Sequence, residues 1–379
     1  MAGIYFHIPF CKQACHYCDF HFSTSLTRQD DMIAAMRDEL VLRKEYLLQR
    51  PIETIYFGGG TPSILSTVHL ESLFQTLNKH YPISSGAEIT LEANPDDLTR
   101  EKLEYWKKLG INRLSIGVQT FQDSLLMQLN RAHQAHQAID AIGLARDSGF
   151  RNVSLDLIYA LPGSTTAHLE TDIQQALELA PQHISIYGLT IEEKTAFGQW
   201  FRKGKLKTVS EKEEVSQFEL LMDQLPRAGY EQYEISNFAK EGFQARHNSN
   251  YWKGEWYLGI GPSAHSFQET SRQFNIPNNA QYVASLKEGK IPATVEQLSS
   301  TNQINEYLFT RLRTKWGIDL SELKSRWGYD LAFEQSESLN LYLKDGYLHQ
   351  QGSIITLTRK GKLLADEIAS DFFRVEMDS

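Results

Sequence analysis

Cys11, Cys15 and Cys18 are the only cysteines of the chain, and all three lie within eight consecutive positions. Chance would gather the three cysteines of a 379-residue chain this tightly on the order of once in a thousand sequences, so the spacing needs a chemical reason. An odd, clustered set is a poor disulfide framework, whereas neighbouring thiolates in a reducing compartment bind metal, and soft sulfur selects zinc, copper(I) or an iron–sulfur cluster. Two sites satisfy the chemistry. Three thiolates and an imidazole from His7, His16 or His21 would complete a zinc tetrahedron. Alternatively, three thiolates would hold a cubane [4Fe–4S] cluster and leave one iron open to a substrate or cofactor. The spacing alone leaves both readings standing.

Such a loop needs a rigid support. Short β-branched or aromatic runs occur at Ile4–Ile8, Thr54–Phe57, Glu88–Leu91, Arg113–Gly117, Val153–Ile158 and His183–Tyr187. They alternate with amphipathic helical patterns at intervals of about 25–50 residues, the size of strand–helix–strand units, which predicts a parallel α/β sheet or barrel. One helix is predicted from Ser210, which has capping-box spacing to Glu213, with Val215, Phe218, Leu221, Met222 and Leu225 on one face. The residues able to do chemistry fall just after the strands: Cys11 to Cys18, Gly58-Gly59-Gly60-Thr61-Pro62, Glu92 with Asn94, Gln119, Asp156, and Tyr187-Gly188. In barrel enzymes the carboxyl ends of parallel strands converge on one mouth, so these residues are expected to share a rim. Six units predict an incomplete (β/α)6 TIM-like barrel.

The remaining organisation follows from composition. With 41% hydrophobic and 22% charged residues the chain can bury large cores, and its length suits two or three domains. We expect a barrel over 1–230, an aromatic, irregular closing segment over 231–295, and a small domain over 296–379 reached through a polar linker near Pro292–Asn302. In the small domain, Ile304, Leu308 and Leu312 recur at fourfold spacing. Tyr347–His349 and Ile354–Thr358 flank Gln351-Gly352 as a hairpin, and a Lys-rich helix starts at Arg359, a winged-helix-like α+β pattern. Nucleic acid is a poor partner, because 38 Lys and Arg against 47 Asp and Glu give a net charge of −9 and disfavour phosphate-backbone binding. No apolar run reaches membrane-spanning length, and Met1–His7 has no basic segment ahead of an apolar stretch, so a cytoplasmic location is expected.

Three motifs have dull explanations as well as chemical ones. Gly58-Gly59-Gly60-Thr61-Pro62 is either a tight turn or a concavity whose amide N–H groups face a ligand; it lacks the Lys-Ser or Lys-Thr of a phosphate loop. Beside an open iron it would cradle an amino-acid ligand, with Glu92, Gln119, Arg131 and Asp156 supplying polar groups for a ribose and a carboxylate. Gly259-Ile260-Gly261-Pro262-Ser263-Ala264 mimics a dinucleotide fingerprint, but Pro262 falls where a helix should begin, so these glycines are expected to permit close backbone approach instead. Arg246-His247-Asn248-Ser249-Asn250-Tyr251-Trp252 is either a packed core cluster or a porphyrin site, where His ligates iron and aromatics pack on the macrocycle. His133, His136 and His168 receive no role.

Cys-x-x-x-Cys-x-x-Cys after a first strand, then Gly-Gly-Gly-Thr-Pro, resembles the radical S-adenosylmethionine (radical SAM) superfamily. Tyr5-Phe6-His7-Ile8-Pro9-Phe10-Cys11, Leu91-Glu92-Ala93-Asn94-Pro95, Ser115-Ile116-Gly117-Val118-Gln119 and Asp156-Leu157-Ile158-Tyr159-Ala160-Leu161-Pro162-Gly163 resemble its oxygen-independent coproporphyrinogen III oxidase group, over nearly the whole chain. The resemblance implies ligation of a [4Fe–4S] cluster by Cys11, Cys15 and Cys18, with the amino and carboxylate groups of S-adenosyl-L-methionine (SAM) on the remaining iron. It implies SAM contacts from Tyr5, Tyr17, Gly59, Gly60, Thr61, Glu92, Gln119, Arg131 and Asp156, with Gly188 a looser match. It also implies an electron donor for the cluster and reductive cleavage of SAM to methionine and a 5′-deoxyadenosyl radical. The oxidase pattern carries a further cysteine two positions after the third, where this chain has Phe20. Phe20 together with His247-Asn248-x-x-Tyr251-Trp252 resembles instead the HemW-type haem chaperones, which bind haem and pass it to acceptor haemoproteins; His247, Tyr251 and Trp252 are the haem-binding candidates. The oxidase alternative would decarboxylate two propionates of coproporphyrinogen III, and the third alternative is a zinc-binding structural protein.

Overall fold

The computed structural model describes residues 1–375, so the last four positions of the expected 296–379 domain lie outside it. Alternation along the first strand, β1 (Ala2–Ile8), sets the layout. Ala2, Ile4, Phe6 and Ile8 are fully buried on one face, while Gly3, Tyr5 and His7 face a central chamber. The buried face packs on α1 (Gln29–Leu42), whose Met36 and Leu40 join the same core. The chain continues through β2 (Ile52–Gly59), α2 (Thr67–His80), β3 (Ile83–Ala93), α3 (Arg100–Lys108) and β4 (Arg113–Gln119). Then come α4 (Asp123–Gln128), α5 (Ala135–Asp147), β5 (Val153–Tyr159), α6 (Thr166–Leu179) and β6 (His183–Gly188). All six predicted strands are present, and they pair in parallel in sequence order β1 to β6. Phe6 and Phe57 stack between β1 and β2 at 4.6 Å, filling the space under the outer helices.

After α7 (Ala196–Arg202), the helix predicted from Ser210 is α8 (Glu211–Arg227), and Ser210 Oγ accepts from the Glu213 amide. The reciprocal half of the capping box does not form, because the Glu213 carboxylate instead accepts from the Thr166 hydroxyl and ties α8 to the start of α6.

The segment expected to be irregular is regular. It forms β7 (Glu231–Glu234), β8 (Asn237–Ala239), α9 (Arg246–Trp252), β9 (Trp256–Ile260), β10 (His265–Gln268), β11 (Ser271–Asn275), α10 (Asn279–Lys287) and β12 (Ala293–Gln297). These strands extend the same sheet at both ends, in the order β12-β11-β10-β9-β1-β2-β3-β4-β5-β6-β8-β7. The outermost strands do not pair with each other among the described residues, so the barrel stays open. The expected linker contains β12, an edge strand paired antiparallel with β11; its polar, exposed side chains hid it from hydrophobic patterning.

The small unit comprises α11 (Ser300–Leu312), β13 (Ile318–Asp319), α12 (Leu320–Trp327), α13 (Leu331–Glu334), α14 (Ser336–Lys344), β14 (Leu348–Gln351), β15 (Ile354–Leu357), α15 (Arg359–Lys362) and α16 (Ala365–Asp371). Ile304, Leu308 and Leu312 are buried there in a separate core with Leu323, Ile355 and Phe372. The predicted hairpin is β14–β15, and two residues of β13 add a third strand too short to read from sequence.

Candidate functional site

β1 delivers the cysteine loop to the open end of the sheet, and three neighbours hold it there. Cys11 donates its amide to Ser23 O at 3.0 Å, and Ser23 donates back to Pro9 O at 2.9 Å. From the loop after α4, Asn130 Nδ2 donates to Ala14 O at 2.7 Å, Leu129 O accepts from the His16 amide, and Gln128 O pairs with His16 Nδ1 at 2.8 Å. Trp200 of α7 packs edge-on against His16 at 4.7 Å, and Lys12 pairs with Asp96 and Asp97 after β3. A loop fixed this way presents its thiols without ordering cost at the moment of binding.

The three thiols are unbridged and half-buried, and they line one cavity of about 430 Å³. Thr61 Oγ1 donates to Cys11 Sγ at 3.4 Å, and Arg131 Nη1 donates to Cys15 Sγ at 3.4 Å, so both sulfurs already face donors that favour thiolate. Burial nevertheless pushes the Cys11 thiol up and the Cys18 thiol up to about 12, so deprotonation must accompany metal binding. Among the described residues no three Cys, His, Asp or Glu side chains converge closely enough to hold one metal ion. The three thiols line one cavity, from which each sulfur could serve a separate iron of a cubane.

Tyr17, Gly59, Gly60, Thr61, Glu92, Gln119, Arg131, Asp156 and Gly188 line this same cavity. Tyr5 does not; it lines an adjoining chamber of about 860 Å³, stacked on Tyr56 at 6.1 Å. The glycine turn differs from expectation in one respect. Gly60 donates its amide to Ile8 O at 2.8 Å, and Thr61 donates to Phe10 O at 2.7 Å, so both N–H groups join β2 to the root of the cysteine loop instead of facing a ligand. A Cβ on Gly60 would stand 2.6 Å from Phe10 O and 2.7 Å from Ile8 O, both rigid backbone. Gly60→Ala is therefore expected to lower the unfolding free energy by about 1–3 kcal/mol, read by urea titration of the apo protein. An unchanged midpoint would mean that the loop root yields.

What remains around the cavity is charged and buried. Glu92, at the end of β3, accepts from Tyr56 Oη at 2.7 Å, yet burial raises its carboxyl to about 7. Asp156 is likewise raised by burial, a shift opposed by the Ser115 hydroxyl at 3.0 Å. Arg131 Nη2 donates to Asn94 Oδ1 at 2.7 Å and Gly117 O at 2.8 Å, which aims its guanidinium along the cysteine loop. Gln119 adopts φ 69° where β4 bulges against β5, a strained conformation that turns its side chain toward the rim.

The aromatic motif lies on α9, and the structure brings its parts into the larger chamber. His247, Tyr251 and Trp252 all line it, with Tyr251 edge-on to Trp252 at 5.5 Å. His247 stacks on Tyr56 at 5.2 Å and shares a hydrogen bond between Nδ1 and Thr54 Oγ1 at 2.9 Å. Burial lowers its imidazole to about 4, so the ring is neutral. Its Nε2 has no hydrogen-bond partner among the described residues. Gly3 makes room for this ring, since a Cβ there would lie 3.3 Å from the imidazole. Sequence reasoning missed Gly3, Thr54 and Tyr56; the inward side of the strand alternation was the one signal available. Of the unassigned histidines, His133 pairs with Val118 O at 3.1 Å and His168 caps α6, both structural roles, while His136 is exposed on α5.

Phe20 is 65% exposed and lines both cavities, which also share Asp19, Tyr56, Glu92, Tyr187 and Asn248. The thiol cavity and the histidine chamber are thus adjoining rooms.

Comparison with known proteins bears on the whole chain. A heme chaperone HemW of Bacillus subtilis is 37% identical over 375 residues, covering 98% of this chain and 99% of that protein. The chain belongs to the HemW family. The HemW of Escherichia coli is 39% identical over 265 residues, 69% of each chain. The Radical SAM superfamily profile matches residues 5–176 and the HemN C-terminal domain profile matches 298–364, so the α/β sheet is a radical SAM fold with a small C-terminal unit. Coproporphyrinogen III oxidase (HemN) of Escherichia coli superposes with a TM-score of 0.86 over 98% of this chain and 90% of that one, at 24% identity, a likeness of fold. No helix among the described residues is long and apolar enough to cross a membrane.

Proposed function

We propose that the protein binds haem in the larger chamber and hands it to acceptor haemoproteins, with a [4Fe–4S] cluster and SAM held next door. The observation that carries this reading is His247: a neutral imidazole with Nδ1 held by Thr54 and Nε2 unpartnered among the described residues, in a cavity of about 860 Å³ walled by aromatics. A hydrogen bond on one ring nitrogen with the other free is how proteins orient a metal-binding histidine. The names borne by the family's relatives agree with it.

The cluster pocket fits its implied occupants. Cys11, Cys15 and Cys18 would hold the cluster; Glu92 supplies an acceptor for the N–H groups of an amino group and Arg131 a donor for a carboxylate. When bound, the cluster and the sulfonium nucleotide supply one-electron reductive chemistry. The chain's own contribution is to fix the thiol loop, to place opposite charges for the two ends of an amino acid, and to set Phe20 where a further thiol would otherwise stand. In the haem chamber, Arg272 and Arg313 are the cations on the wall, and a propionate would compete there with their partners Glu306 and Asp366. We assign the activity to the cytoplasm, where thiols stay reduced, with a separate protein donating electrons.

The test incubates the reconstituted protein with coproporphyrinogen III, SAM and a reductant, and titrates the same preparation with ferric haem. Haem capture without conversion is expected; conversion to protoporphyrinogen would replace the chaperone reading with the oxidase one. Thr54→Val is expected to weaken haem binding about tenfold or more, as losing an orienting partner does at metal sites. His247→Ala should weaken it further and change the spectrum. Unaltered affinity and spectrum in both variants would remove His247 from the site.

A further inference from the structure

Four histidines face the large chamber, His7, His21, His247 and His265. They differ as potential iron ligands, because a ring nitrogen already holding a hydrogen bond must give it up to bind metal. His7 has both nitrogens engaged, Nε2 with His21 O at 2.7 Å and Nδ1 with Tyr5 Oη at 3.3 Å. His21 is tied through Nε2 to Asn279 Oδ1 at 2.7 Å and keeps Nδ1, so a His21 variant serves as its control. His247 keeps Nε2. The His265 ring makes no hydrogen bond among the described residues, and its one neighbouring ring is Phe274, 5.9 Å away.

The backbone that carries His265 is fixed although its ring is free. Gly259 donates its amide to Ser266 Oγ at 2.9 Å, and Asn275 donates to Ala264 O at 2.9 Å, clamping the residues on either side. The glycine pattern 259–264, which fits no nucleotide site, serves this turn. A Cβ on Gly259 would collide with the His265 carbonyl, and Gly261, at φ 106°, lies against the His7 carbonyl. In register, Gly3 faces Tyr257 and Tyr5 faces Gly259. The His247 ring stands before Gly3 and the His265 carbonyl lies over Gly259, so the two residues are anchored a strand width and two residues of register apart, on the order of 10 Å. Both side chains line the same chamber of about 860 Å³.

The geometry points to His265 as the second axial ligand of the haem iron, opposite His247, an inference that rests on the haem reading above. The two ligands divide the work. His247 is stacked, neutral and oriented by Thr54, whereas His265 is exposed at the start of β10, where an acceptor protein's ligand can replace it first. Six-coordination meanwhile closes the iron to oxygen during transit.

Anaerobically reconstituted protein is titrated with ferric haem and followed by absorption and electron paramagnetic resonance in wild type, His265→Ala, His265→Met and His21→Ala. A low-spin wild type, a high-spin five-coordinate His265→Ala that still binds, and a low-spin His265→Met with a raised haem reduction potential are expected, with His21→Ala unchanged. The Met variant separates ligation from a structural effect, because a merely structural residue gives no methionine-ligated spectrum. A high-spin wild type, or a low-spin His265→Ala, overturns His265 as ligand while leaving haem binding intact. A wild type that takes up no haem overturns the functional reading itself.

Discussion

Cys15→Ser protein, reconstituted without oxygen, is expected to carry iron and inorganic sulfide at background, while the wild type fills. Serine is isosteric, but its hydroxyl does not ionise near neutral pH, so one iron loses its anchor and the cluster its third support. The substitution also leaves Arg131 Nη1 facing an oxygen instead of Cys15 Sγ, 3.4 Å away, which removes the soft anion it helps to stabilise. The remaining loop contacts, from Asn130 to Ala14 and from Lys12 to Asp96, do not involve the thiol, so the far-ultraviolet dichroism should match wild type and separate cluster loss from unfolding. Full iron and sulfide in the variant would end the ligand assignment. Stoichiometric zinc in oxygen-free wild type would return the thiols to a structural ion.

Much of this arrangement is legible before any fold is known, because the radical SAM strands write their positions locally. Each of β1 to β6 is a β-branched or aromatic run, and the polar residue or glycine that follows it marks the rim: Glu92 after Leu91, Gln119 after Val118, Gly188 after Tyr187. The later strands are hidden by their chemistry. β12 is polar and exposed, β13 is two residues long, and β9 gains its place only by pairing with β1 some 250 positions earlier, which no local pattern records. The same distance conceals the support of His247, whose partner Thr54 lies 193 positions away. Local motifs do mislead on atomic use. The amides of Gly60 and Thr61 are directed to the carbonyls of Ile8, at the end of β1, and of Phe10 just beyond it, a fact that depends on how closely β1 and β2 approach at their ends.

Glu92, one of the carboxyl groups that line the cavity, produces the second large effect. In the apo protein burial raises its carboxyl to about 7, so ionising it costs on the order of 3 kcal/mol relative to an ordinary carboxyl. The folded state therefore holds a proton that the unfolded chain releases, and this contribution to stability is present at acid pH and is lost as pH rises toward 7. An amino group bound beside Glu92 reverses the preference, since a carboxylate is the stronger acceptor for its N–H donors. SAM affinity is accordingly expected to weaken as pH falls from about 7.5 to about 5.5, approaching tenfold per unit at the acid end. Glu92→Gln should reduce that pH dependence and lower affinity at pH 7.5 by about tenfold or more, on the order of the 1.5–3 kcal/mol of a hydrogen bond to a charged group. It should also raise the melting temperature of the apo protein at alkaline pH, because the costly ionisation is gone. Opposite signs for ligand affinity and apo stability distinguish a charge held ready for a ligand from a carboxylate that merely supports Tyr56. If calorimetric titration gives the same SAM affinity across this range, Glu92 does not contact the amino group.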